Sequence, residues 1–225
     1  MPGFAIHLSV AKEVIRLIAE SELDQWTDTE IEEFYIGNLL PDIKKSKKLS
    51  HFWGGIQMRY IIRMPDLDKF FSSYPVKFSN KRNLGYYCHL YVDKFYYNKF
   101  LPERVCFWDE NENPTNLLRK VEYVYLYKDS KKIPYKEYWT DKYYYGDFDK
   151  LNATLQDKYE INVNKIADEM GNDEIKMNLG QRKLLQNKLR KYLNKNRAGS
   201  LTIFRENDIE TFIFNAAQHF FQSLQ

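Results

Sequence analysis

The chain has 225 residues, 44% of them hydrophobic and 16% aromatic, with 34 Lys plus Arg against 31 Asp plus Glu. That is length for one domain, or one domain with an insertion, and such a chain buries roughly 70% of the surface it exposes when unfolded. A net charge of +3 announces neither a dedicated nucleic-acid binder nor a solvating acidic tail, no apolar run has the length of a membrane span, and two cysteines make no disulfide framework.

The first residues, MPGFAIHLSV, carry no basic leader, so no signal peptide is expected and reduced Cys88 and Cys106 fit a cytoplasmic protein. From Ala5 to about Leu23 the positions Ile6, Val10, Val14, Leu17 and Ile18 repeat at helical spacing. Thr27 with Glu30 is a capping box for a helix over Asp28 to Ile36, and Gly37 sits where a helix stops. Pro41 then places Asp42 on a loop or helix start, ahead of the basic stretch Lys44 to Lys48. Pro65-Asp66 opens a short helix through Phe71, Ser72 to Asn83 reads as loop, and Gly85 to Leu101 as an aromatic helix. Pro102 to Asn113 reads as loop. Leu117 to Tyr127 resumes a periodic pattern, of which Val121 to Tyr127 alternates and fits a lone strand equally well.

Tyr123 to Asp147 holds eight of the 18 tyrosines, broken by Pro134 and Gly146, and reads as a lid or insertion over about 103–147. Further helices are predicted over Asp149 to Tyr159, 164–170, 175–193 and Asn207 to Leu224. The class is mainly α, one helical domain over 1–225.

Of four histidines, three fall in the first 89 residues. His89 and Asp93 stand at i and i+4, one turn apart on one helix face, where imidazole and carboxylate converge on a single cation. Zinc and similar metals accept nitrogen and oxygen ligands together. His7 lies on the side of its helix that Val10, Ala11 and Val14 mark as core-facing. A buried interior would therefore receive His7, Asp42, His51, His89 and Asp93. The plainer alternative is a set of core histidines with a local His–Asp salt bridge.

The segments Met1-Pro2-Gly3-Phe4-Ala5-Ile6-His7, Gly37-Asn38-Leu39-Leu40-Pro41-Asp42, Ser50-His51-Phe52 and Gly85-Tyr86-Tyr87-Cys88-His89-Leu90-Tyr91-Val92-Asp93 resemble the zinc-dependent phospholipase C family, closest to its short intracellular bacterial members of unknown activity. The resemblance covers the first hundred residues, touches Asp147 to Asn152, and then fades. It implies an all-α helical bundle with a zinc cluster at one end, hydrolysing phosphodiesters of phospholipids or nucleic acids. It also implies that His7, Asp42, His51, His89 and Asp93 are metal ligands, with Asp93 able to bridge two ions and Asp42 to serve as general base. The secreted members add an N-terminal tryptophan, two further histidines and a glutamate. This chain begins Met1-Pro2 and has no histidine between Asp93 and His219, so one or two ions are expected rather than three: zinc, with iron or manganese as alternatives.

The implied chemistry is attack of a metal-bound hydroxide on phosphorus. Lys44, Lys45, Lys47 and Lys48 lie between two candidate ligands, and Lys45 and Lys48 are taken as phosphate-binding. The competing function is a non-catalytic binding or scaffold protein that keeps the fold and one structural metal. Gln181 to Arg197, with seven basic and no acidic residues and Leu185, Leu189, Tyr192 and Leu193 on one stripe, suits either a lipid or nucleic-acid contact or a solvated helix over a core. His219, with no acid within a turn, reads as structural. Walker, dinucleotide, HExxH, CxxC and GxSxG signatures are absent from the sequence.

Overall fold

The structure is a computed structural model that describes residues 2–21, 25–44, 46–74, 79–162 and 179–225. It is mainly helical. Helix α1 (Phe4–Glu20) runs through the interior, with Ile6, Leu8, Val10, Ala11, Val14 and Ile18 all buried. Each large apolar side chain of this kind stabilises the fold by about 1.5–3 kcal/mol. Against α1 pack α2 (Asp28–Ile43), α5 (Lys81–Phe95), α7 (Tyr144–Lys158), α8 (Leu179–Leu193) and α9 (Glu206–Gln222). Two short helices, α3 (Lys47–Ser50) and α4 (Leu67–Ser73), lie between α2 and α5. The predicted helix over 164–170, and the first residues of that over 175–193, lie outside the described residues.

The capping box at Thr27 is present: the Glu30 amide donates to Thr27 Oγ1 and the Thr27 amide to Glu30 Oε2. The helix it opens does not stop at Gly37. It continues to Ile43, through Pro41, so that Asp42 stands on its last turn and not on a loop. The reason is tertiary. A Cβ at Gly37 would sit 1.9 Å from the carbonyl oxygen of Arg82, and one at Gly85 would sit 2.0 Å from that of Phe34. Two glycines thus let the backbones of α2 and α5 touch, a use of glycine that overrides its helix-stopping tendency. Proline within a final turn forfeits one hydrogen bond, and the helix tolerates it here.

Helix α5 continues through a π turn at Tyr96–Phe100 into a short turn at Leu101–Glu103. The segment read as loop over Pro102 to Asn113 contains strand β1 (Val105–Trp108), which pairs antiparallel with β2 (Tyr123–Leu126). Strand β3 (Lys131–Pro134) completes a three-stranded sheet in the order β1-β2-β3. The alternating pattern near Val121 therefore marks a strand. Val105 pairs with Leu126, and Phe107 with Val124, which in turn pairs with Ile133. These side chains share the sheet's buried face and belong to the same apolar cluster as α1. A one-turn helix, α6 (Tyr135–Tyr138), leads to α7.

Candidate metal centre

His7, Asp42, His51, His89 and Asp93 come from four elements and meet in one buried cluster. His7 lies in the second turn of α1, Asp42 at the end of α2, His51 just after α3, and His89 and Asp93 on α5. His7, His51, His89 and Asp93 are 0% exposed and Asp42 8%. His7 Nε2 is 3.4 Å from Asp93 Oδ1, while His51 Nε2 is 3.3 Å from Asp93 Oδ2 and 3.6 Å from Asp42 Oδ1. His89 Nε2 lies 3.7 Å from Asp93 Oδ2 and 4.0 Å from Asp42 Oδ1. The His7 and His89 rings stack with centroids 3.8 Å apart.

Local structure aims His51 inward. Ser46 caps α3, Phe52 then turns the chain in the left-handed region (φ 57°), and the Tyr86 hydroxyl donates to Ser50 O at 2.8 Å. The ring of Phe52 packs against Phe70, Tyr74 and Tyr86, which anchors the turn.

The partners of the ring nitrogens show which of their atoms face the centre of the cluster. His89 Nδ1 is 2.7 Å from the carbonyl oxygen of Asn38, and His51 Nδ1 is 3.1 Å from that of Lys47. A carbonyl only accepts, so His89 Nδ1 carries a proton, whereas His51 Nδ1 also lies 3.0 Å from the Ser50 hydroxyl, which can donate to it or accept from it. Burial, reinforced by His7, drives the His89 pKa down to about 3 against the pull of Asp93 and Asp42, which leaves that ring neutral with its lone pair on Nε2. That atom faces His51 Nε2 at 3.3 Å.

Burial alone would raise the Asp42 carboxyl, yet His89, Lys47 and His51 outweigh it and hold the group below its ordinary value. The Asp93 carboxyl lies well below the usual range, burial being outweighed by His51 and His7. Two ionised carboxylates thus share a buried site with an imidazole lone pair. Both oxygens of Asp93, Asp42 Oδ1 and both nitrogens of His7 have no hydrogen-bond partner of acceptable geometry among the described residues. The close approaches do not compensate. Charge-assisted N–H···O bonds run about 2.7–2.9 Å, shorter than any of these His–Asp separations.

A bound cation would account for both the spacing and the unpartnered atoms. For metal–ligand bonds of about 2.0–2.1 Å, adjacent ligand atoms of a tetrahedral site stand about 3.3 Å apart, which is the separation found for His7–Asp93, His51–Asp93 and His51–His89. Two triads have ligand atoms that all lie within 4.8 Å of one another, His7/His89/Asp93 and Asp42/His51/His89. His89 is common to both and has one free nitrogen. The set could therefore hold one or two ions, and Asp93 turns one oxygen to His7 and the other to His51. The carbonyls of Asn38 and Lys47 supply the outer support that orients ligating imidazoles.

The cluster adjoins a cleft of about 360 Å3, which Asp42 lines together with Lys47, Lys188, Lys195, Tyr145, Tyr192 and others. Of the two lysines singled out in the sequence, Lys45 lies outside the described residues, and Lys48 is exposed on α3 and does not line the cleft. Lys47 does, as does Lys188 from α8. The basic helix carried no positional signal for Lys188. Its apolar stripe splits: Leu185, Leu189 and Leu193 are buried in the core, while Tyr192 faces the cleft. His219 is exposed beside Phe95 and takes no part.

Comparison with protein-family models, with curated proteins and with solved structures finds no match to this chain. Among the described residues no helix is long and apolar enough to cross a membrane.

Proposed function

We propose that the chain is a metal-dependent hydrolase of phosphoesters, most simply of phosphodiesters, with a zinc centre on His7, Asp42, His51, His89 and Asp93. Iron or manganese matches the same nitrogen and oxygen donors. The observation that carries this reading is the convergence of His7, Asp42, His51, His89 and Asp93 on one buried cluster, in which, among the described residues, neither oxygen of Asp93 makes a hydrogen bond of acceptable geometry and the Nε2 atoms of His51 and His89 face each other at 3.3 Å, a donor set that a divalent cation would satisfy. The sequence resemblance to zinc-dependent phospholipases C supports the reaction class.

When bound, the metal polarises a phosphoryl oxygen and lowers the pKa of water toward neutrality. The protein's own residues do the rest. His7, His51, His89 and Asp93, fully buried, fix the centre and exclude bulk water from its inner side. Asp42 is the one member of the five that lines the cleft. Its ionised carboxylate sits where substrate enters and is the group placed to take a proton from the attacking water. Tyr145 and Tyr192 offer the cleft amphipathic walls for the rest of the substrate.

The test is metal content by plasma mass spectrometry on untagged protein, followed by hydrolysis of bis(p-nitrophenyl) phosphate. The reading expects roughly one or two equivalents of metal, abolished in His89→Ala/Asp93→Ala, and turnover that Asp42→Asn reduces at least about a hundredfold. Metal retention without hydrolysis of any phosphoester offered would favour a scaffold that keeps a structural ion.

A further inference from the structure

The cluster meets the cleft through Asp42, and two lysines hold that residue from different elements. Lys47 Nζ lies 3.1 Å from Asp42 Oδ1. The same oxygen faces His51 Nε2 and His89 Nε2 at 3.6 and 4.0 Å, so a cation in the cluster and the Lys47 ammonium compete for one atom. Lys188 Nζ donates instead to backbone, to Asp42 O at 2.9 Å and Ile43 O at 3.4 Å, the carbonyls at the C-terminal end of α2. Both lysines line the cleft.

We propose that Lys47 and Lys188 form an anion-binding pair for the phosphoryl group of the substrate, and that Lys47 becomes free for this task when a divalent cation takes Asp42 Oδ1. The inference rests on the metal-centre reading above. An ammonium has three donors. Lys188 spends two on helix-terminal carbonyls, where a positive charge is favoured, and keeps the third for a ligand in the cleft. Carbonyls leave its charge uncompensated. Lys195, the other lysine of the cleft, is different: its Nζ lies 3.8 Å from Asp149 Oδ2, which offsets its charge.

Lys47 behaves as an exchangeable counterion. Half exposed at the end of a flexible stem, it balances Asp42 only until a doubly charged ion does so better. Its displacement places a positive charge beside the metal, on the side from which an anion arrives. Metal and anion binding are then coupled, each strengthening the other by the same factor.

The experiment is calorimetric titration of inorganic phosphate into the full chain loaded stoichiometrically with zinc and freed of excess metal, alongside zinc affinity measured by chelator competition. Lys188→Met is expected to weaken phosphate binding about tenfold or more, the loss of a charge-assisted hydrogen bond, without tightening zinc, because Lys188 does not contact the Asp42 carboxylate oxygen that a cation would take. Lys47→Met is expected to weaken phosphate similarly while tightening zinc, because the competing ammonium is gone. A merely structural role for Lys47 would not produce that pair of opposite shifts. Lys188→Arg, which keeps the charge should Lys188→Met unfold, is expected to retain most of the phosphate affinity. Phosphate affinity unmoved by either methionine substitution overturns the lysine pair and leaves the metal centre standing. Zinc affinity unchanged or weaker in Lys47→Met overturns the exchange. Failure of the wild-type chain to take up zinc overturns both this inference and the reading beneath it.

Discussion

Asp93→Asn separates a metal centre from a salt-bridged core most sharply, because Asp93 touches three of the histidines. Its Oδ1 stands 3.4 Å from His7, and its Oδ2 3.3 and 3.7 Å from His51 and His89. A ligand that binds only the folded state stabilises it by about 4.1 kcal/mol when present at a thousand times its Kd. For 225 residues the entropy of unfolding is about 0.47 kcal/mol/K, so that stabilisation raises Tm by about 9 °C. Neutralising the central carboxylate weakens zinc by at least about a hundredfold. At the same zinc concentration the stabilisation then falls to about 1.4 kcal/mol, or about 3 °C. The assay is differential scanning calorimetry of both proteins with chelator and with zinc. Equal zinc-induced shifts in the two would refute the reasoning, since zinc would then be binding elsewhere. If the variant has a lower Tm with chelator and neither protein responds to zinc, Asp93 is a salt-bridge partner and the cluster is core.

Three further outcomes follow from the same geometry. In chelator-treated protein His89 titrates near 3 when folded, below its unfolded value of about 6.5, so the unfolded chain binds the extra proton and stability falls as pH drops through that window. The slope is about 1.4 kcal/mol per pH unit; denaturant titrations between pH 6 and 4 should show it flattened by that amount in His89→Gln, and coincident slopes would contradict the burial of a neutral ring. Gly37→Ala places a methyl 1.9 Å from the Arg82 carbonyl and should cost about 1–3 kcal/mol while also weakening zinc, because α2 carries Asp42 and α5 carries His89. A stabilised Gly37→Ala, the usual result at an open helical glycine, would mean the helices do not touch. Asp147, fully buried, accepts amide hydrogens from Thr202, Ile203 and Phe204. Asp147→Ala should therefore cost about 3–5 kcal/mol by chemical denaturation, and a loss below about 1 kcal/mol would show that the 202–204 segment finds other partners.

The grouping of His7, Asp42, His51, His89 and Asp93 was legible in the sequence, and the structure brings the five together; their role as metal ligands came from the family resemblance and is a proposal. Spacing sets His89 one turn from Asp93 and His7 on the core side of α1, while the fourth histidine, His219, lies exposed and apart. What escaped the sequence depends on contacts between segments distant along the chain. Gly37 reads as a stop to any rule that considers a helix alone, yet here it is the point where α2 meets α5, and Gly85 is its counterpart 48 residues later. Two strands of the sheet were hidden for a related reason: β1 and β3 are only four residues long and give too little alternation, so β2 read as a lone strand, and only cross-strand pairing of Phe107 with Val124 and of Val124 with Ile133 shows which face is buried. Lys188 was illegible in principle. Its partners are backbone carbonyls of Asp42 and Ile43, which every residue possesses, so no residue type at any spacing marks it. The candidate ligands and the hidden lysine nevertheless meet at one residue. Asp42 occupies the last turn of α2 only because the two glycines let the helix run past its apparent stop, and those extra turns bring its carboxylate to His51 and its carbonyl to α8. The feature that local reasoning misjudged is therefore the one that joins the candidate metal ligands to the cleft.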